Sequence, residues 1–138
     1  QRLTDLYDRY KPRRMVLDPS GIGEAVINEL RAKGYPIEAA EFHSKARNKL
    51  LINLVMMIQP NKTGETSLII PRMQDDAATM TFTSKLVEEL VGFREVKSQK
   101  TGMIALLSKA PHDDTVMALA MACKAASEQR EFLDMLGI

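Results

Sequence analysis

A pair of aspartates opening a helix of unusually small side chains constrains this chain more than any other feature. The stretch is His112-Asp113-Asp114-Thr115-Val116-Met117-Ala118-Leu119-Ala120-Met121-Ala122. Carboxylates at a helix start complement its dipole and cap free amides, which accounts for one acid more readily than for two. Ala118, Ala120, Ala122, Ala125 and Ala126 remove side-chain bulk, so the helix can lie close against a sheet and deliver its first-turn acids to the sheet's edge. A second acid stands at a complementary place. Met15-Val16-Leu17 forms a short apolar strand ending on Asp18 and the turn Pro19-Ser20-Gly21, and open α/β sheets gather ligands at the carboxyl ends of strands. Asp18 can also simply cap its own turn or the helix after it. Clustered carboxylates repel one another unless a cation neutralises them, so their convergence implies a divalent metal and chemistry on phosphate.

Short apolar runs alternate with amphipathic helices along the rest of the chain. Leu3, Leu6, Tyr7 and Tyr10 recur at helical spacing, and Pro12 ends that helix. Ala25, Val26, Ile27, Leu30 and Ala32 supply the stripe of a second helix, closed by Lys33-Gly34. Ile37 to Phe42 is a strand. Ser44 caps a helix from Lys45 to about Gln59, with Leu50, Leu51, Leu54, Val55 and Ile58 turned to the core. Ser67 to Ile70 is a strand closed by Pro71, and Phe82 to Val91 contains a helix. Phe93 to Lys97 and Met103 to Ser108 form a hairpin around Ser98-Gln99-Lys100-Thr101-Gly102. The acid-headed helix runs from Asp113 to about Ala126, and Glu128 to Ile138 is a peripheral helix or linker. Strands separated by helices imply an α/β fold with helices on both faces of a sheet, which the hairpin makes mixed.

The 138 residues suit one domain with one core, and 45% hydrophobic with 27% charged residues is ordinary globular composition. Cys123, the single cysteine, excludes an intrachain disulfide and a multi-cysteine zinc site; it reads as a small core residue. No apolar run reaches the roughly 20 residues of a membrane span. Nothing at the start has the form of a signal peptide, so a cytoplasmic location is expected. A start on an amphipathic segment without Met is expected of a fragment. Net charge is +1, but residues 42–64 hold no acid while Lys45, Arg47, Lys49 and Lys62 all fall there. That local basicity fits either phosphate contact or a solvated helix face. Met56, Met57, Met117 and Met121 belong to packing, His43 to a cap or the surface, and Tyr7 and Tyr10 to a helix face rather than base stacking.

The order of these pieces resembles the nuclease domain of the phage terminase large subunit. The resemblance rests on the Asp18-Pro19-Ser20-Gly21-Ile22-Gly23 turn, the long basic and apolar helix, Ile70-Pro71, Leu86-Val87-Glu88-Glu89-Leu90, the hairpin and, most specifically, His112-Asp113-Asp114 with Ala118-Leu119-Ala120. It spans Leu3 to about Ala126 and implies an RNase H-like fold over residues 1–126, followed by the peripheral segment 127–138. It further implies three metal-binding carboxylates, of which Asp18 matches the second. Asp114 matches the third, Asp113 is its close rival, and His112 lies in the outer shell. The first carboxylate is expected on a strand upstream of residue 1, so the domain is expected to be N-terminally incomplete; Asp5 and Asp8, on a helix, cannot replace it. The implied chemistry is phosphodiester hydrolysis with two Mg²⁺ or Mn²⁺ ions about 4 Å apart. Lys45, Arg47 and Lys49 would hold the DNA backbone without reading bases. Implied partners are double-stranded DNA, a packaging ATPase domain in the same polypeptide, the small terminase subunit and the portal protein, in the host cytoplasm and away from membranes.

Other readings compete. Gly21-x-Gly23 before a helix hints at a nucleotide turn, but Val26 replaces the third glycine and no Lys-Ser/Thr pair follows. A non-catalytic RNase H-like module that binds DNA or a packaging partner is a second reading. A resolvase or transposase of the same fold is a third, which the His-Asp-Asp helix and the preceding hairpin disfavour.

Overall fold

The computed structural model describes residues 2–41, 43–70, 77–97, 99, 102, 104–109 and 112–137, without the side chains of 77–79 and 132. The elements are α1 (Arg2–Tyr10), β1 (Met15–Leu17), α2 (Pro19–Ile22), α3 (Glu24–Ala32), β2 (Ile37–Ala39), α4 (Ser44–Ile58), α5 (Ala77–Val91), β3 (Phe93–Lys97), β4 (Ile104–Ser108) and α6 (Asp114–Leu136). The chain is therefore α/β, with helices and two small ladders. β1 and β2 pair in parallel with Met15 opposite Ile37 and Leu17 opposite Ala39, the crossover being α2 and α3. β3 and β4 form the expected hairpin, Phe93 opposite Ser108 and Lys97 opposite Ile104.

The single mixed sheet expected from the sequence is not what the described residues form; they form two separate two-stranded sheets. The physical reason is visible at β4. Asn48, on α4, donates from its amide nitrogen to the Ile104 carbonyl at 3.0 Å and accepts from the Leu106 N–H at 3.0 Å. One side-chain amide thus satisfies the edge groups that a neighbouring strand would otherwise use.

Local chemistry sets the element ends. Lys11 takes φ +44°, and its N–H closes on the Tyr7 carbonyl at 2.7 Å. Pro12 disfavours helical geometry in the residue before it, so α1 stops there. α4 is capped by His43, whose Nδ1 accepts from the Ala46 N–H at 3.3 Å, one residue ahead of the expected Ser44. Ser67 to Ile70 is not a strand; Leu68 instead donates its N–H to the Met57 carbonyl at 3.0 Å, laying the segment against α4. β2 ends at Ala39. Phe42, Pro71, Met103 and Ser98, Lys100 and Thr101 of the expected hairpin turn lie outside the described residues.

The expected break near Ala126 is absent: α6 is one helix to Leu136, ending at Gly137 with φ +70°. Its second half is tied to the sheet, so it is no linker. Arg14, just before β1, donates to Glu38 of β2 at 2.5 Å, to Glu128 at 2.9 Å and to the Ala125 carbonyl at 3.3 Å.

Leu50, Leu51 and Leu54 of α4 meet Val116, Met117, Ala120, Met121 and Cys123 of α6 in the buried core. Val16, Leu86, Leu90, Phe93 and Leu106 pack around them. Burial of each large side chain contributes roughly 1.5–3 kcal/mol, which makes the α4–α6 seam the main stabilising contact. The alanines divide accordingly. Ala120 is wholly buried, whereas Ala118, Ala122 and Ala126 are exposed and share a face with Asp114, four residues apart along the helix. Small side chains thus bring α6 close to α4 first, with β1 and α5 as flanking neighbours, rather than chiefly to the sheet as expected.

Candidate functional site

Three acidic side chains meet at the first turn of α6, two of its own and one from α5, with three different fates. Asp113 occupies the cap position, but its carboxylate bonds no helix amide; it forms an ion pair with the Arg47 guanidinium of α4. The cap is supplied from elsewhere. Glu89 of α5 turns its Oε2 into that first turn, accepting the Thr115 N–H at 2.9 Å, the Thr115 hydroxyl at 2.5 Å and the Val116 N–H at 3.2 Å. Glu89 is 4% exposed, the one buried charged or polar side chain among the described residues. Burial pushes its carboxyl up, but the bonds from Thr115 and Val116, with Lys85 beside it, outweigh that and hold it below the ordinary carboxylate range. Asp114 is the third acid. It is exposed and, among the described residues, has neither hydrogen bond nor ion pair. His112 is likewise exposed and unpartnered among them.

Asp18 stands at the carboxyl end of β1, half-buried. Its Oδ1 accepts the Ser20 N–H at 2.9 Å and the Ser20 hydroxyl, capping α2, while Oδ2 has no partner among the described residues. The capping role weighed for this residue is present, and it leaves one carboxylate oxygen available.

The basic trio does not form one face. Residues two apart on a helix point to nearly opposite sides, and residues four apart share one. Arg47 turns to Asp113 and so is committed inside the chain. Lys45 and Lys49 are exposed and carry no partner among the described residues. Lys49 borders an open cleft of about 530 Å³ between β2, α4 and α6, together with Glu38, Glu41, Asn53, Lys124 and Glu131. That cleft mixes charges of both signs and includes none of the candidate acids.

Among the described residues, no three His, Cys, Asp or Glu side chains gather closely enough to hold a metal ion between them. Asp114 and the free oxygen of Asp18 are hard donors of the kind Mg²⁺ and Mn²⁺ prefer. Mg²⁺ is commonly held by one or two carboxylates, with waters and substrate phosphate completing its shell, so each of these side chains is of a chemical kind that suits it.

Glu89, Asn48 and Arg14 were not among the residues that the sequence marks as functional. Glu89 did leave a signal: with Phe82 seven residues before it and Leu86 three before, it is a charge at a position in line with apolar residues of its helix. A comparison with family models, curated proteins and solved structures finds no match to this chain.

Proposed function

We propose that the chain forms part of a divalent-metal-dependent DNA endonuclease of the RNase H-like kind, similar to the nuclease domain of a terminase. Asp114 and Asp18 would hold the metal, and Asp113 would be structural. The observation that carries this reading is the sorting of acids at the head of α6. Asp113 is neutralised by Arg47 and Glu89 is spent on helix amides, while Asp114 is exposed and, among the described residues, has no hydrogen bond or ion pair.

The reading also requires Asp18 to come near Asp114. Arg14 ties the start of β1 to Ala125 and Glu128, in the second half of α6. From Arg14 to Asp18 an extended chain advances about 13 Å at ~3.3 Å per residue. From Ala125 back to Asp114 a helix covers about 16 Å at ~1.5 Å per residue. An antiparallel course of β1 along α6 would bring Asp18 towards the helix start. When bound, the metal would supply an activated water and charge neutralisation at the scissile phosphate. Lys45 and Lys49 would contact the backbone of double-stranded DNA without selecting bases.

The test is nicking of supercoiled plasmid across Mg²⁺ and Mn²⁺ titrations, by this chain and by a polypeptide extended upstream of Gln1, where the resemblance expects the first carboxylate. The extended form should cut, the short chain should cut poorly, and Asp18→Asn or Asp114→Asn should abolish cutting in a folded protein. Cleavage indifferent to both substitutions, or to metal, would refute the reading. DNA binding without any cleavage by either form would favour the non-catalytic module.

A further inference from the structure

We propose that Glu89 is a positioning residue for the acid at the head of α6: delivered from α5, its side chain fixes the helix's first turn and thereby the place of Asp114. The inference rests on the metal-site reading above.

A helix start leaves its first amides without partners, and a side chain at the cap position ordinarily takes one of them. In α6 the residue at that position, Asp113, gives its carboxylate to α4 instead. The task passes to a side chain on another helix. A single oxygen of Glu89 accepts three donors from Thr115 and Val116, the two residues directly after Asp114. Because the acceptor belongs to α5, these bonds fix where the turn lies relative to α5 as well as satisfying its amides. Asp113–Arg47 provides a second tether, to α4. Asp114 sits between two fixed neighbours, its own side chain without a partner among the described residues.

The other oxygen makes this more than a cap. Among the described residues Glu89 Oε1 is buried without a hydrogen-bond partner, and the cation paired with it, Lys85 Nζ, is 3.8 Å away. Burying a carboxylate with half its acceptors unused is costly. A serine or asparagine at the cap position would satisfy the same amides locally without that cost. What the longer route adds is a rigid link between α5 and the acid-bearing turn. It also fills the first-turn amides, so that this end of α6 does not offer itself to a phosphate, and the outward acid can serve a cation instead.

The test separates reach from charge. Glu89→Asp keeps the charge and shortens the arm; Glu89→Gln keeps the arm and removes the charge. Mn²⁺ binding to each folded variant is read from the loss of the free-ion paramagnetic resonance signal, with Mg²⁺ as competitor, and urea midpoints are measured alongside. Outer supports of metal ligands typically change affinity by about 10- to 100-fold. Glu89→Asp should therefore weaken Mn²⁺ binding by about tenfold or more, and Glu89→Gln should stay within about threefold of the parent. Mg²⁺ demands a more regular shell, so it should suffer more than Mn²⁺ in Glu89→Asp, a bias that simple loss of stability does not produce. Unchanged Mn²⁺ affinity in Glu89→Asp would overturn the inference and leave Glu89 a stabilising cap. Lost binding in Glu89→Gln with the parent affinity kept in Glu89→Asp would overturn it in favour of charge alone, and equal losses in the two would overturn the claim that reach decides; Glu89→Gln settles the matter if Glu89→Asp does not fold. Asp114→Asn, run in parallel, guards the underlying reading. If it leaves Mn²⁺ binding intact, the metal site itself is wrong; if it abolishes binding while Glu89→Asp does not, only the role of Glu89 fails.

Discussion

Replacing the two adjacent aspartates one at a time should give opposite results, because the structure gives them opposite surroundings. Asp113→Ala strands the Arg47 guanidinium. Both partners of that pair are about a quarter exposed, at 27% for Arg47 and 24% for Asp113. Exposed pairs contribute about 0–1 kcal/mol, and breaking a fully buried one costs about 3–5, so a pair at this depth should cost about 1–3 kcal/mol when one partner is lost. No helix-capping loss is added, since the Asp113 side chain caps nothing. Asp114→Ala removes a carboxylate that has no hydrogen bond or ion pair among the described residues. It forfeits a helix-dipole interaction of about 0.3–1 kcal/mol and gains a few tenths from alanine's helix propensity, for a net change within about 0.5 kcal/mol. Urea denaturation at neutral pH and constant m-value measures both, and thermal midpoints should fall by several degrees for Asp113→Ala alone. A double-mutant cycle with Arg47→Ala should return a coupling of about 1–2 kcal/mol for Asp113 and none for Asp114. Equal destabilisation by the two substitutions, or zero coupling between Arg47 and Asp113, would refute the assignment of one acid to structure and the other to the site.

Three further outcomes are expected. Leu54→Ala should cost about 2–5 kcal/mol, whereas Ile52→Ala, 40% exposed on the same helix, should cost less than about 1, as read by denaturation midpoints. The Glu89 carboxyl is lower in the folded chain than its ordinary value, so it contributes stability above the ordinary carboxylate range that is lost as pH falls through the folded value; an acid titration of stability should be shallower in Glu89→Gln. Lys45→Ala with Lys49→Ala should weaken DNA binding equally across unrelated sequences and reduce the salt slope by about 1–2, an effect that fluorescence anisotropy at several salt concentrations would reveal.

Much of the fold was legible because it is written in local chemistry. β1 is an apolar triplet stopped by an acid and a proline, and the hairpin strands flank a run of turn residues. The helices carry their stripes and, at Pro12 and Gly34, their stops. What could not be read is long-range. Arg47 meets Asp113 across 66 positions, Asn48 meets Leu106 across 58, and Glu89 meets Thr115 across 26, and no local period encodes such meetings. The single mixed sheet was overestimated because a side-chain amide can satisfy a strand edge as well as a strand can. α6 continues past Ala126, and the bond that holds its second half, from Arg14 far upstream to Glu128, is equally long-range. At the candidate site the sequence left Asp113 and Asp114 as rivals, and their separation rests on a guanidinium whose destination only the fold reveals.

The central claim, that Asp18 and Asp114 serve one divalent cation, is most directly tested by paramagnetic broadening. A ¹⁵N-labelled sample titrated with Mn²⁺ should lose the amide signals of Asp18 and of residues 113–115 together, at the lowest metal additions, while Asp114→Asn preserves both sets. Broadening centred instead on the cleft acids Glu38, Glu41 and Glu131, or loss of one set without the other, would contradict the account.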